Sequence, residues 1–224
     1  MPLRVTPLVI GEIYHVLNRG VNHQPIFIDK WDYKRLLEII FFYQFVKPPI
    51  RFSYYDRLPL GDKENLLREI QQKYPKLVNV FAFCFMPNHF HLLLKQVSEN
   101  GISKFLANFQ NSFTRYVNVR HERSGHLFQG QFKAVRITTG EQFLHTSRYI
   151  HLNPYTSYVV KTVEELIRYP WSSLPEYVKA KREYFCETEN ILASFRSRKK
   201  YLQFILDQKD YQKKLDHIKH LLLE

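Results

Sequence analysis

Two histidines separated by one residue, His89 and His91, are the side chains whose types and spacing most directly suggest chemistry. They begin the second of two short apolar runs, FAFCFM and HFHLLLK, which are joined by Pro87-Asn88. The composition of the runs and the turn residues between them predict an antiparallel β-hairpin. Because side chains alternate across a strand, both imidazoles are expected on one face, roughly 6–7 Å apart along the chain. A single divalent metal ion could bridge that gap.

Hydrophobic residues of this second run point to both faces, which predicts a buried strand in the centre of its sheet. Two imidazoles on such a strand need partners, since an unpaired buried polar group costs on the order of 1–3 kcal/mol. A metal ion, a carboxylate or backbone carbonyls could each be that partner. The His-x-His motif is weak by itself, and structural histidines account for it more often than a metal site does.

The second chemical feature is a tyrosine and an asparagine, Tyr149 and Asn153, one helical turn apart. Thr139 and Gln142 stand at capping-box spacing and predict the start of their helix, and Pro154 predicts its end. At 100° per residue the two side chains share a polar face with His145. The plainer alternative is an exposed tyrosine beside a helix-terminal asparagine.

Charge and composition indicate the class of partner. The 224 residues include 33 Lys and Arg against 21 Asp and Glu, a formal net charge of +12, with the basic residues spread along the chain. Such a charge favours a polyanionic partner. Aromatic residues make up 16%, and aromatic rings among basic groups suit single-stranded nucleic acid, whose bases stack on the rings. A basic surface that serves only solubility is the alternative.

Cysteine content and hydropathy exclude several classes of protein. Cys84 and Cys186 are too few for a disulfide framework or a multi-cysteine zinc site. The first residues lack the pattern of a signal peptide, and no run approaches the roughly 18 apolar residues of a membrane helix. We therefore expect a cytoplasmic protein that makes no use of a membrane.

The remaining elements are those that must position the two chemical features. Alternating residues predict a first strand at 12–19, and Asp29 is a suitable cap for the helix that follows. Residues 47–76 are punctuated by proline and glycine and predict an excursion from the sheet, with one amphipathic helix at about 62–74. The excursion carries residues suited to touching nucleic acid: Arg51, Tyr54, Tyr55 and Arg57.

A long helix is predicted from 102 to about 121, because its apolar residues recur every three or four positions. Tyr116 lies on that apolar stripe and is expected in the core. The opposite side carries groups suited to water or phosphate: Lys104, Asn108, Asn111, Arg115 and Asn118. Residues 132–137 predict a further short strand.

The C-terminal region has a different pattern. Short helical pieces begin near Val163, and helices rich in Lys and Glu are predicted from about 191 to 224. We divide the chain into a domain at 1–160, which the family resemblance given below implies to be catalytic, and a helical appendage at 161–224. A basic run in the appendage is a candidate second contact to nucleic acid: Arg196, Arg198, Lys199 and Lys200.

Five motifs occur in an order that resembles one protein family. They are Tyr14-His15-Val16, Asn18-Arg19-Gly20, Met86-Pro87-Asn88-His89-Phe90-His91-Leu92-Leu93, Gly125-His126-Leu127-Phe128-Gln129-Gly130, and Tyr149 with Asn153-Pro154. This set resembles the single-tyrosine transposases of the histidine-hydrophobe-histidine (HUH) endonuclease group, and within it the transposases associated with repetitive extragenic palindromes (REP) of bacteria. The excursion at 47–76 is longer than this resemblance leads us to expect.

The resemblance implies an α+β fold, in which helices pack on a ferredoxin-like antiparallel sheet, plus the helical C-terminal appendage. It implies that Tyr149 is the catalytic nucleophile and that His89, His91 and Asn153 are metal ligands. Relatives can carry Gln at the third ligand position. The basic residues that we expect to contact DNA on this basis are Arg19, Arg115, Arg123, Lys133, Arg136 and Arg148.

The activity implied is metal-dependent nicking and rejoining of single-stranded DNA at palindromic hairpins, through a covalent 5′-phosphotyrosine. The cofactor would be Mg²⁺ or Mn²⁺, and imidazole ligands favour Mn²⁺. The partner would be single-stranded DNA, with the protein acting as a monomer or homodimer. Tyr116 is the rival nucleophile. A non-catalytic nucleic-acid-binding protein and a hydrolase of small phosphoesters are the alternative functions.

Overall fold

The computed structural model describes residues 7–179 and 185–207. Their four strands are β1 Ile13–Arg19, β2 Val78–Met86, β3 His89–Gln96 and β4 Lys133–Ile137. They form one antiparallel sheet in the order β2-β3-β1-β4. This order, with helices crossing between β1 and β2 and between β3 and β4, is the ferredoxin-like arrangement. The predicted fold class is therefore confirmed, including the hairpin and the central position of β3.

The described helices surround the sheet. They are α1 Lys30–Tyr43, α2 Phe52–Tyr55, α3 Leu60–Lys73, α4 Gly101–Arg120, α5 Gly140–Thr156, α6 Val163–Ile167, α7 Leu174–Val178, α8 Glu189–Leu192 and α9 Arg198–Leu206. The Asp29 side chain caps α1 by accepting from the Trp31 and Asp32 amides, and the Thr139 hydroxyl caps α5. None of the described helices is long and apolar enough to cross a membrane.

The sheet separates two hydrophobic cores. On one face, Phe90, Leu92 and Leu94 of β3 pack with α1 and α4. On the other face, Leu93 packs with α5 and with the short helices that follow it. The alternation along β3 thus assigns His91, like Leu93, to the face covered by α5.

The C-terminal segment covers the edge of the sheet that β2 would otherwise expose. The side-chain hydroxyls of Tyr177 and Tyr169 donate to the carbonyls of Phe81 and Phe85 at 2.5 and 2.8 Å. Between them, the Ser173 amide donates to the Phe83 carbonyl at 3.0 Å. An unpaired edge strand invites aggregation, so these bonds protect β2. The predicted helices beyond residue 207 lie outside the described residues.

Three local expectations differ from the structure. Pro154 lies inside α5, which ends at Thr156 rather than before the proline. One missing N–H removes a single helical hydrogen bond, and the burial of Leu152, Asn153 and Pro154 outweighs that loss. Helix α2 was not expected. Tyr116 is only partly buried, and its hydroxyl accepts from Arg120.

Candidate active site

Strand β3 places the two histidines beside the end of β1. His91 stands opposite Leu17, and His89 stands opposite Arg19. The centroids of the two imidazole rings are 5.0 Å apart, with their planes nearly perpendicular. His91 is 4% exposed. Both rings therefore point into the layer between the sheet and α5.

Helix α5 brings Tyr149 and Asn153 to the same place. The Tyr149 ring centroid lies 5.5 Å from that of His91, edge to face. Asn153, one turn later, is 2% exposed, and its side-chain nitrogen is 3.4 Å from His91 Nε2. The four residues assigned by resemblance to the nucleophile and the metal ligands thus meet in one cluster.

The hydrogen bonds of His89 define its ring proton. Its Nδ1 is 2.6 Å from Asn88 Oδ1, which can only accept, so the proton lies on Nδ1. The Nε2 atom of His89 then presents a lone pair. Asn88 is itself held, because the Gly20 amide donates to its carbonyl at 2.8 Å. A Cβ on Gly20 would lie 2.2 Å from the Gln24 carbonyl oxygen, so only glycine fits there.

His15 gives His91 the matching tautomer. An amide nitrogen only donates, so the contact from Asn153 Nδ2 makes His91 Nε2 the acceptor. The ring proton of His91 then lies on Nδ1, from which it donates to His15 Nε2 at 2.9 Å. Both histidines of the motif therefore carry the ring proton on Nδ1 and a lone pair on Nε2, the tautomer in which imidazole binds metals through Nε2. In the structure the His91 lone pair accepts from Asn153 Nδ2, a contact that a bound metal would replace.

Burial keeps these imidazoles neutral. It lowers the pKa of His15 to about 4. The pKa of His89 is also lowered to about 4 by burial, with Arg19 and His23 adding to the effect and a hydrogen bond with Asn153 opposing it. Burial, then the neighbouring His15 and His89, place the pKa of His91 well below its usual value. Neutral imidazole is the ligating form, so the site is prepared for a cation at neutral pH.

A divalent metal fits this set of donors. Asn153 Oδ1 is buried and accepts no hydrogen bond from the described residues while His89 is neutral, because the Nε2 atom of the neutral ring has no proton to donate. Burying such an oxygen is costly unless a cation or a donor satisfies it. Together with the Nε2 atoms of His89 and His91, Asn153 Oδ1 completes a candidate ligand set of two imidazole nitrogens and one amide oxygen. Within the described ranges, no group of three His, Cys, Asp or Glu side chains could hold a metal. The amide is thus the distinctive member of the candidate set.

His15 is the site residue whose role the sequence did not reveal. It belongs to one of the motifs, yet its contact with His91 joins positions 76 residues apart. Its ring stacks on His91 at 5.1 Å and meets Tyr149 edge to face at 5.8 Å. The sequence signal that could have revealed this role is the alternation along β1, which places His15 and Leu17 on one face of the strand. Strand register, which a single sequence does not give, decides the contact.

Some of the expected DNA-contacting residues are accessible. Arg19 stands opposite His89, with its guanidinium 3.3 Å from His23 Nε2. Lys133 is exposed at the start of β4, and Arg115 is exposed on α4, on the opposite side of the sheet. Arg123 donates to the His126 carbonyl at 3.4 Å.

Two others are engaged within the protein. Arg136 forms a 2.7 Å ion pair with Glu12. Arg148 is 7% exposed, stacks 4.4 Å from the Phe204 ring centroid and contacts His145. Arg148 therefore joins α5 to α9 rather than facing solvent, and His145, a conceivable proton acceptor for Tyr149, contacts Arg148 and Glu141 instead.

Comparisons with known proteins concern the family and the fold. Residues 59–153 match the model of the IS200-like transposase family. Among solved structures, the chain resembles that of a REP-associated tyrosine transposase bound to a REP hairpin, with a TM-score of 0.54 and 15% identity over 80% of this chain and 86% of that one. No match was found among curated protein sequences. The matched segment includes both histidines, the tyrosine and the asparagine, so the resemblance seen in the motifs is confirmed: residues 59–153 match the IS200-like transposase family, and the fold is similar to that of a REP-associated tyrosine transposase.

Proposed function

We propose that the protein is a metal-dependent endonuclease and strand transferase for single-stranded DNA. It acts at palindromic, REP-like hairpins through a covalent 5′-phosphotyrosine on Tyr149. The observation that carries this proposal is the Tyr149 ring 5.5 Å from His91, with Asn153 buried one turn further along the same helix. A tyrosine beside two neutral imidazoles is the composition expected of a nucleophile next to a metal site.

In this mechanism His89, His91 and Asn153 hold Mg²⁺ or Mn²⁺. When bound, the metal ion polarises the phosphate oxygens and stabilises the negative charge that develops in the transition state. Helix α5 orients Tyr149, because the same helix carries one ligand and the nucleophile. His15 fixes the ring of His91 through the 2.9 Å hydrogen bond.

The covalent step exchanges one phosphoester for another. Tyr149 Oη forms a bond to phosphorus as the bond from phosphorus to the 3′ oxygen breaks. The phenol loses a proton, and the departing 3′ oxygen gains one, which leaves a free 3′-hydroxyl. Because the phosphotyrosine keeps the energy of the phosphoester, another 3′-hydroxyl can attack it and rejoin the strand.

The choice of substrate is supported by the family match and by the DNA-bound structural relative. The net charge of +12 agrees with a polyanion. Arg19 and Lys133, on the strands that flank the site, are the side chains that we propose as its DNA contacts. The active unit is a monomer or a homodimer in the cytoplasm.

The test is adduct formation on labelled DNA that carries a palindromic hairpin with a single-stranded flank. We expect an adduct that resists denaturation, requires Mn²⁺ or Mg²⁺, forms on the single strand and not on the duplex, and disappears in Tyr149→Phe. Tyr158→Phe, which changes an exposed tyrosine just beyond α5, is the matched control and should keep the adduct.

Other outcomes would replace the proposal. Loss of the adduct in Tyr116→Phe with retention in Tyr149→Phe would move the nucleophile to α4. Binding without an adduct on any tested strand would leave the non-catalytic nucleic-acid-binding function. Hydrolysis of small phosphoesters that survives Tyr149→Phe would indicate a water nucleophile.

A further inference from the structure

A cavity of about 720 Å³ lies on the face of the sheet opposite Tyr149. Its walls come from α1, from α4 and from the start of the excursion at residues 51–57. This volume is in the range of pockets that bind small organic groups. The cavity brings together the two surfaces that the sequence indicated separately as suited to nucleic acid, one on α4 and one on the excursion.

The cavity carries an excess of positive charge. Five arginines line it, against one carboxylate, Asp56. Asp56 is bound by Arg35, and Arg120 pairs with Asp29 outside the cavity at 2.6 Å. The remaining three form no ion pair with the described residues: Arg51, Arg57 and Arg115. Three cations converge here without counterions of their own, which favours an anionic ligand.

The cavity also offers a flat ring and free amides. Tyr54 is 56% exposed, and the guanidinium of Arg57 stands 5.0 Å from its ring centroid. Asn108 and Asn111 project from the exposed side of α4 at the cavity wall and form no hydrogen bond with the described residues. A base can stack on an exposed ring, and amides can pair with its edge, while arginines hold phosphates.

We propose that this cavity binds a short segment of single-stranded DNA, independently of cleavage at Tyr149. Arg51 and Arg115 hold phosphates, and Tyr54 stacks on a base. The protein can thereby bind one part of the substrate strand in the cavity and another part at the histidines, on the opposite face of the sheet. A small inorganic anion such as sulfate would make no use of the exposed Tyr54 ring. Duplex DNA would not present an unstacked base to that ring.

The first test compares two double variants in a Tyr149→Phe background, where no covalent product forms. Arg51→Gln/Arg115→Gln removes two cavity cations, and Arg68→Gln/Arg168→Gln removes two exposed arginines elsewhere. Anisotropy with a labelled mixed-sequence single strand should show roughly tenfold weaker binding for the cavity variant, and a salt slope lower by about 1.4. The control should stay within about twofold. Equal losses in both variants would overturn the proposal.

The second test concerns the ring. Tyr54→Ala should weaken binding of the single strand by roughly 5- to 150-fold, the range of one stacked base, while Tyr54→Phe keeps it. A single strand with 5-iododeoxyuridine should cross-link to the 51–57 segment on irradiation, as located by peptide mass spectrometry. Equal affinity of Tyr54→Ala and Tyr54→Phe, or cross-links confined to other segments, would overturn the assignment.

A third arm identifies the ligand class. A labelled strand bound to the protein should be displaced by unlabelled single-stranded DNA but not by a polyglutamate of equal charge or by the same sequence as a duplex. Displacement by polyglutamate at equal charge would show a site for acidic peptides instead. All three tests use the Tyr149→Phe background and measure binding alone, so their failure would overturn this site and leave the proposed cleavage at Tyr149 standing.

Discussion

The two faces of the sheet use opposite physical means. On the α5 face, four side chains meet with little solvent, and burial keeps the histidines neutral. On the α4 face, the cavity is lined by exposed arginines whose charge is permanent. The lone pairs of a buried ligand set are out of contact with water, so only a cation or a hydrogen bond within the protein can satisfy them. An exposed cationic cavity gains from attraction to phosphate, which salt weakens.

The two proposed activities, cleavage on the α5 face and strand binding on the α4 face, would then be separable by substitution on one small fold. Substitutions on the α5 face should change metal binding and adduct formation, and those on the α4 face should change affinity and its salt dependence. A substitution on one face that changes the measurements assigned to the other face would contradict this separation.

The largest effect is expected for His91→Ala, which removes a central ligand of the proposed metal. Adduct formation should fall by at least about 10³-fold, the scale associated with losing a metal-based stabilisation of the transition state. Isothermal titration calorimetry of the same variant with Mn²⁺ should detect no heat of binding. Affinity for single-stranded DNA in the absence of metal, measured by anisotropy, should stay close to that of the unchanged protein. A His91→Ala protein that still forms the adduct would contradict the ligand assignment.

Next comes His15→Phe, which keeps a ring of similar shape but removes the acceptor of the His91 Nδ1 proton. Loss of the hydrogen-bond partner of a metal-ligating histidine typically lowers metal affinity by roughly 10- to 100-fold. Titration with Mn²⁺ should detect that loss even when no DNA is present. His126→Phe, at an exposed loop position, is the control. Unchanged Mn²⁺ affinity in His15→Phe would show that His15 only fills space.

The third experiment is unfolding as a function of pH. His151 is fully buried between Tyr201 and Ser173, and burial lowers its pKa to about 3. Below pH 6.5 the unfolded chain binds a proton there that the folded chain does not, so stability falls as the pH falls. At pH 5 this amounts to roughly 2 kcal/mol for His151 alone.

Denaturant unfolding at pH 7 and pH 5 measures this loss. His151→Gln should reduce the difference between the two pH values, whereas His126→Gln should leave it unchanged. A pH dependence identical in His151→Gln and in the unchanged protein would show that His151 is not its source.

The smallest effect compares two arginines. Arg115→Gln, in the cavity, should lower the salt slope of single-strand binding by about 0.7, the value for one phosphate contact. Arg148→Gln should leave the slope unchanged, because Arg148 packs on Phe204. It should instead lower the free energy of unfolding by about 1 kcal/mol. A changed slope for Arg148→Gln would mean that the two faces are coupled.

Much of the site could be predicted because it depends on short spacings. Alternation along β3 placed His89 and His91 on one face, and helical periodicity placed Tyr149 and Asn153 together. That α5 would then lie over β3 came from the family resemblance. The strand order and the helices packed on the sheet agreed with that resemblance.

The parts that could not be predicted depend on contacts between distant segments. The bond from His91 to His15 requires the register of β1 against β3. The cavity requires residues 51–57 to fold against α4, although the sequence indicated each surface by itself. Pro154 showed the limit of a local rule, because the burial that keeps it in α5 comes from other elements.

Gly20 has a consequence for how freely this sequence can vary. Its backbone is in contact with the Gln24 carbonyl on one side and holds Asn88, the partner of His89, on the other. A larger side chain would have to move the loop at 21–26, and with it the turn that orients the first histidine. In a library covering all amino acids, position 20 should therefore tolerate only glycine, although it touches neither the candidate metal ligands nor the cavity. The proposed reaction therefore depends on the absence of a side chain at position 20 as well as on the side chains that form the site.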